Sequence, residues 1–93
     1  MATGLTAARA LLRMAAQKVT EDAPDKTSYA AMAKLYATDA CSKIANDALQ
    51  LHGGYGYLMD YPIERIVRDL RVHEILEGTN QIMRMVVGRD LIK

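Results

Sequence analysis

The sequence predicts an all-α fold: a partial up-and-down helical bundle of about two long helices, a short helix and a C-terminal helix. Three observations carry this. Apolar residues recur at spacings of three and four through most of the chain, no stretch alternates with the period of a strand, and Gly and Pro punctuate the pattern in only a few places. There is no internal repeat and no low-complexity tract.

The first helix is read over residues 1 to about 20, with Leu5, Ala8, Leu12, Ala15 and Val19 on one face. Gly4 weakens its first turn by about 1 kcal/mol relative to Ala, so this end is expected to fray. Glu21 to Lys26 is a polar connection in which Pro24 disfavours helix, and Asp25, Thr27 and Ser28 are candidate N-caps. A second helix is read over about 28 to 51. Its stripe is Ala33, Ala37, Ala40, Ile44, Ala48 and Leu51, widened by Met32, Leu35 and Tyr36, with Asp39 and Lys43 spaced as a surface pair. The short connection makes the two an antiparallel pair.

Three glycines in four positions, Gly53, Gly54 and Gly56, then end that helix and permit positive φ. Pro62 suits the start of a short third helix with apolar residues at Ile63, Ile66, Val67 and Leu70. Gly78 interrupts any continuation past Leu76. Thr79 is placed to cap a last helix over about 80 to 92, carrying Ile82, Met85, Val86, Val87 and Ile92.

The 93 residues make at most one domain. A chain this short hides about 60–65% of the surface it exposes when unfolded. The 51% apolar content is globular, yet it is rich in Ala and lacks Phe and Trp, so each helix buries little and the piece suits packing against further helices. Twelve basic and 11 acidic residues give a net charge of +1, which offers nucleic acid no long-range attraction. No apolar run reaches the roughly 18–20 residues of a membrane span. The single Cys41 has no intrachain partner and reads as a small hydrophobe in an Ala-rich helix. His52 and His73 lack metal-ligand spacing, so no metal site is expected.

Two stretches invite a chemical reading. In Gln50-Leu51-His52-Gly53-Gly54-Tyr55-Gly56-Tyr57 the glycines let backbone amides approach a phosphate or a flat ring, although a helix C-cap with a tight turn explains them equally in kind. In Leu76-Glu77-Gly78-Thr79-Asn80-Gln81 a carboxylate stands at a turn before a helix N-terminus, where free N–H groups face a ligand. That carboxylate is either a proton-transfer group or an ordinary turn residue. Arg65, Arg68 and Arg71, interleaved with Glu64, Asp69 and Glu74, read as a salt-bridged surface. Arg89 is either an anion contact or a cation at a helix C-terminus.

These stretches, with Asp60-Tyr61-Pro62-Ile63-Glu64-Arg65 and Arg68-Asp69 between them, closely resemble the C-terminal region of the acyl-CoA dehydrogenases. The wording is most similar to the isobutyryl-CoA and short-chain members, and the resemblance covers essentially the whole chain. It implies that residues 1–93 are a partial C-terminal helical domain, with an N-terminal helical domain, a middle β-domain and the first bundle helices lying outside it. It implies a flavin-dependent oxidation of a short, straight or branched acyl-CoA to the trans-2-enoyl-CoA. In the family a glutamate takes the α-proton and the β-hydrogen leaves as hydride to FAD.

By the same resemblance Glu77 is the base. Gln50, Leu51, His52, Gly53 and Gly54 belong to a loop that contacts FAD across a subunit interface. Thr79, Asn80 and Gln81 hold FAD beside the base, and Gly78 and Arg89 contact the acyl-CoA. The expected partners are the acyl-CoA substrate, an electron-transfer flavoprotein as acceptor, and further copies of the chain in a homo-oligomer, a tetramer in the family. The expected compartment is the cytoplasm of a bacterium or the mitochondrial matrix of a eukaryote. The isolated chain is expected to be inactive. The rival readings are a helical interaction module and an acyl-CoA-binding relative without turnover.

Overall fold

One long helix carries every other element. In the computed structural model, which describes residues 1–93, α1 spans Ala2–Thr20, α2 Lys26–His52, α3 Ile63–His73 and α4 Asn80–Leu91. A 3-10 segment, Gly53–Tyr57, lies between α2 and α3, and there is no strand. The 3-10 segment and the other three helices pack on α2, and no other pair of α-helices packs at close backbone range. The molecule is therefore long, 49 × 22 × 18 Å, with a Cα radius of gyration of 15.4 Å. A self-contained domain of this length has about 12 Å.

The all-α reading holds, and the boundaries shift for local reasons. α1 ends at Thr20 before Pro24 can act. Asp22 adopts φ 52°, and the N–H groups of Asp22 and Ala23 donate to the carbonyls of Val19 and Lys18, at 3.1 and 2.9 Å. This is a Schellman cap with Asp in the place usually taken by Gly. Gly4 stays within the helix, close to Ile44. α2 begins at Lys26, two residues earlier than its stripe suggests. Asp25 holds the N-cap position but makes no capping bond; its carboxylate accepts from Lys18 Nζ at 3.0 Å instead.

The buried apolar residues are five alanines: Ala8, Ala15, Ala31, Ala33 and Ala45. No large side chain is fully buried. Of the α1 face read from sequence, the alanines are covered while Leu5, Leu12 and Val19 remain exposed. On α2 only Ala33 of the expected stripe is buried, alongside Ser28, Ala31 and Ala45. The rest of that stripe is half-buried apart from exposed Leu51, because a helix with neighbours on several sides has no single fully buried stripe. The accessible surface is 6753 Å², against about 5,400 Å² for a self-contained monomer of this mass.

The expected Asp39–Lys43 pair does not form. Lys43 turns to Asp47, at 2.8 Å, while Asp39 reaches across to α4, where Arg84 lies 3.5 Å away. Along α3 no residue is buried, and of its three arginines only Arg71 has an ionic partner, Glu74 at 3.8 Å. Pro62 sits one place outside the helix as its N-cap, and α3 runs to His73 before the turn that leads to α4.

Candidate active site

The turn between α3 and α4 is the one place where two successive residues take left-handed backbone angles. Glu77 has φ 55° and Gly78 has φ 85°. For Gly this is free, but for Glu it costs about 1–2 kcal/mol. A Cβ on Gly78 would stand 2.8 Å from Met83 Cε. The N–H groups of Glu77, Gly78 and Thr79 donate to no protein acceptor, whereas those of Ile75 and Leu76 before them and Asn80 after them are paired. The Glu77 side chain is exposed and makes neither a hydrogen bond nor an ion pair. The turn thus presents a free carboxylate together with free amide donors. That combination can take a proton from carbon while donating to a developing oxyanion.

Three ties hold this turn. Thr79 caps α4 as its sequence position predicts, its Oγ1 accepting from the Ile82 N–H at 3.3 Å. The Asn80 N–H donates to the Glu74 carbonyl at 3.0 Å, closing the turn across its base. The Asn80 side chain, 3% exposed, is anchored on α2. Its Nδ2 donates to Thr38 Oγ1 at 2.8 Å and to Asp39 Oδ1 at 2.6 Å, and its Oδ1 accepts from Lys34 Nζ at 2.6 Å. Lys34 Nζ also donates to the Gly78 carbonyl at 2.8 Å. Gln81, one residue further on, is exposed.

Lys34 and Thr38 were not singled out by sequence reasoning, and Asp39 was read only as the partner of Lys43. Lys34 and Thr38, four apart, share a face of α2 with Asp39 at its edge, but that face reads as solvated until α4 is laid across it. Thr38 offers no stronger signal, because its hydroxyl also donates back to the Lys34 carbonyl at 2.7 Å, as any helical threonine can.

The glycine loop lies elsewhere. It begins where α2 ends, 14 to 19 residues beyond the part of α2 that holds Asn80, which is about 21–28 Å along the helix axis. The loop and the Glu77 turn therefore do not converge within one chain. Two of its three glycines have a structural reason. Gly53 has φ 63°, and a Cβ on Gly56 would meet the Leu49 carbonyl at 2.6 Å. Gly54 needs neither freedom: its φ is ordinary and a Cβ would meet nothing within 4 Å. Gln50, Leu51, His52, Gly53 and Gly54 are all exposed. His52 Nδ1 donates to the Ala48 carbonyl at 2.7 Å, a helix-end contact. Tyr55 and Tyr61 stack on each other at a tilt, with centroids 5.5 Å apart.

Arg89 is exposed in the last turn of α4 with no ionic partner, some ten residues and about 15 Å from Thr79 along that helix. A polar cleft of about 530 Å³ opens between α2 and the start of α4, with Asp39, Arg71, Glu74, Thr79, Asn80 and Gln81 among its walls. No three His, Cys, Asp or Glu side chains gather in a metal-binding group, and no helix is long and apolar enough to cross a membrane.

Comparison with known proteins agrees with this architecture. Residues 1–92 match the family described as acyl-CoA dehydrogenase, C-terminal domain. A mitochondrial isobutyryl-CoA dehydrogenase of Dictyostelium discoideum is 54% identical over 93 residues, all of this chain and 22% of that protein. A subunit of the caffeyl-CoA reductase–Etf complex of Acetobacterium woodii is 45% identical over 93 residues, 24% of its length. The solved structure of butyryl-CoA dehydrogenase from Megasphaera elsdenii superposes with a TM-score of 0.95 at 40% identity, over 100% of this chain and 24% of that one. The chain spans about a quarter of the length of the proteins it matches. The fold, the helical order and these matches together place it in the acyl-CoA dehydrogenase family, of which it is C-terminal-domain sequence.

Proposed function

We propose that the protein containing this chain is an FAD-dependent dehydrogenase that oxidises a short, straight or branched acyl-CoA to the trans-2-enoyl-CoA, with Glu77 as the base. The observation that carries this is the Glu77 turn. A glutamate is kept in a costly backbone conformation, with its carboxylate unpaired and the adjacent N–H groups free. A packing turn gains nothing from that arrangement; a proton acceptor beside an oxyanion site does.

In this reading the Glu77 carboxylate removes the α-proton. The Glu77 N–H donates to the thioester carbonyl, where negative charge develops as the proton leaves, and Gly78 keeps the backbone close enough for that contact. Arg89, unpaired at the far end of α4, contacts the CoA portion. Bound FAD supplies the acceptor for the β-hydrogen, taken as hydride.

The residues fit such a cofactor. Gly54 presents open backbone that no structural demand of the loop explains, and Thr79 and Gln81 border a polar cleft at a helix N-terminus. The Asn80 side chain is already engaged with α2, so its share in holding the cofactor is to set the positions of Thr79 and Gln81. Because the glycine loop stands about 21–28 Å from the Glu77 turn, Gln50 to Gly54 serve the cofactor of a neighbouring copy. In this reading the assembly is a homo-oligomer. An electron-transfer flavoprotein as electron acceptor is supported by the relative that forms part of an Etf complex. The compartment follows the source: the mitochondrial matrix of a eukaryote, the Dictyostelium relative being named mitochondrial, or the cytoplasm of a bacterium.

The test is anaerobic addition of short straight and branched acyl-CoAs to the whole flavin-loaded protein. The flavin absorbance should bleach with the wild type and not with Glu77→Gln, which should still bind flavin. Bleaching by Glu77→Gln at the wild-type rate would remove Glu77 as the base. A wild type that binds acyl-CoA without bleaching would make the protein a non-turnover relative.

A further inference from the structure

We propose that Lys34 is a positioning residue for Glu77: from α2 its ammonium grips the Gly78 carbonyl and the Asn80 side chain, and so sets the direction in which the Glu77 carboxylate leaves its turn. The inference rests on the reading of Glu77 as the base and goes beyond it by naming what holds that base in place.

Lys34 has no acidic partner on its own helix, since Ala30 and Thr38 stand four residues to either side. Lys26, Lys43 and Lys93, by contrast, each pair with an acid three or four residues away. Lys34 spends its charge across the chain, 44 and 46 residues distant in sequence, on Gly78 O at 2.8 Å and Asn80 Oδ1 at 2.6 Å. Gly78 O is the carbonyl immediately after Glu77. Together with the bond from the Asn80 N–H to the Glu74 carbonyl, it pins the turn from both sides.

A pinned turn is what the left-handed angle at Glu77 requires. Without a tether a glutamate there relaxes toward ordinary φ, and the carboxylate swings with it. Glu77 itself has no cation within ion-pair range. The network extends through Asp39, which accepts from Asn80 and lies beside Arg84, so the tether is itself braced between α2 and α4.

The experiment compares Lys34→Met, Lys34→Arg and Glu77→Gln in the whole flavin-loaded enzyme. Lys34→Met, which keeps the stem and loses the donors, should lower kcat by about ten- to a hundredfold, the scale of a misplaced catalytic group. Its KM should stay within about twofold, since substrate binding is not what the tether serves. Lys34→Arg, with two N–H groups able to reach the two acceptors, should recover most of the lost kcat. A Lys34→Met enzyme with wild-type kcat, or one whose loss lies in KM alone, overturns the proposal, and so does a Lys34→Arg enzyme as slow as Lys34→Met. Should Lys34→Met not fold, Lys34→Gln, polar but too short to span both acceptors, carries the same expectation and the same refutation. Glu77→Gln separates the two levels. If it leaves turnover intact, the base assignment fails; if it abolishes turnover while Lys34→Met does not lower kcat, only the tether fails.

Discussion

The α1–α2 seam and the junction between α2 and the Glu77 turn are built from opposite materials. The seam is closed by alanines, Ala8 and Ala15 on one helix against Ala33 and Ala37 on the other. It is smooth and permissive, and it leaves Leu12 and Val19 exposed at its edge. The junction is closed by hydrogen bonds. Its one deeply buried residue, Asn80, bonds to Lys34, Thr38 and Asp39, and each bond has a direction. Alanine contacts set how close two helices lie but barely resist sliding. A satisfied polar network fixes register and angle, and it is costly when half broken. The difference teaches where precision is needed: the helices only have to meet, whereas the carboxylate of Glu77 has to be aimed.

The sharpest way to break this contrast is to place the same large side chain in both regions. Asn80→Leu removes three partners at once and leaves Lys34, Thr38 and Asp39 facing an apolar group, at a cost of about 3 kcal/mol. Ala8→Leu forces the seam apart but breaks no bond, at a cost of about 2 kcal/mol. Urea midpoints of the whole protein measure both. Activity divides them further: Asn80→Leu should lose turnover out of proportion to its stability, and the well-folded fraction of Ala8→Leu should turn over normally. If Ala8→Leu proves the more damaging on both counts, the seam is the precise element and the contrast is wrong.

A smaller effect runs the other way. Glu77→Gly should stabilise the protein by about 1 kcal/mol, because glycine takes the left-handed angle without strain. It should also abolish flavin bleaching. A gain in midpoint alongside a lost activity is the signature of strain kept for function. A loss in midpoint would show instead that the carboxylate makes a stabilising contact within the assembled protein.

How much of this was legible in the sequence follows the same division. The helices, their order and the Thr79 cap were readable because each depends on residues within four or five positions. The chemistry of the Glu77 turn was half readable. The order Glu-Gly-Thr marks a turn before a helix, but the left-handed angle at Glu77 itself is invisible where the neighbouring Gly78 could have absorbed the strain alone. Burial on α2 was only partly legible, because a stripe assumes one partner and α2 has several. The Asp39–Lys43 spacing predicted a local pair, yet Asp39 found Asn80 and Arg84 on α4, 41 and 45 positions away in sequence. The Lys34 tether was unreadable for the same reason: its acceptors are a backbone carbonyl and an amide more than 40 residues off, and neither leaves a local mark.

The smallest prediction concerns the far end of the seam, where charge does enter. Lys18 closes the α1–α2 connection by donating to Asp25 at 3.0 Å and lying 4.7 Å over the Tyr29 ring. The hydrogen bond to Asp25 raises the Lys18 pKa above its usual 10.5; partial desolvation opposes this, and the charges of Asp25, Tyr29 and Glu21 add to the rise. A folded-state pKa above the unfolded one means that protonated Lys18 favours the native chain. Its contribution is complete below the unfolded value and is lost as pH climbs through the folded value. Lys18→Met should therefore lower the urea midpoint slightly at neutral pH, and the gap from wild type should close in strongly alkaline solution. The effect is small because Lys18 is solvent-accessible and water screens the pair. A gap that persists at high pH would assign the role of Lys18 to the packing of its aliphatic stem rather than to its charge, and the seam would then be apolar along its whole length.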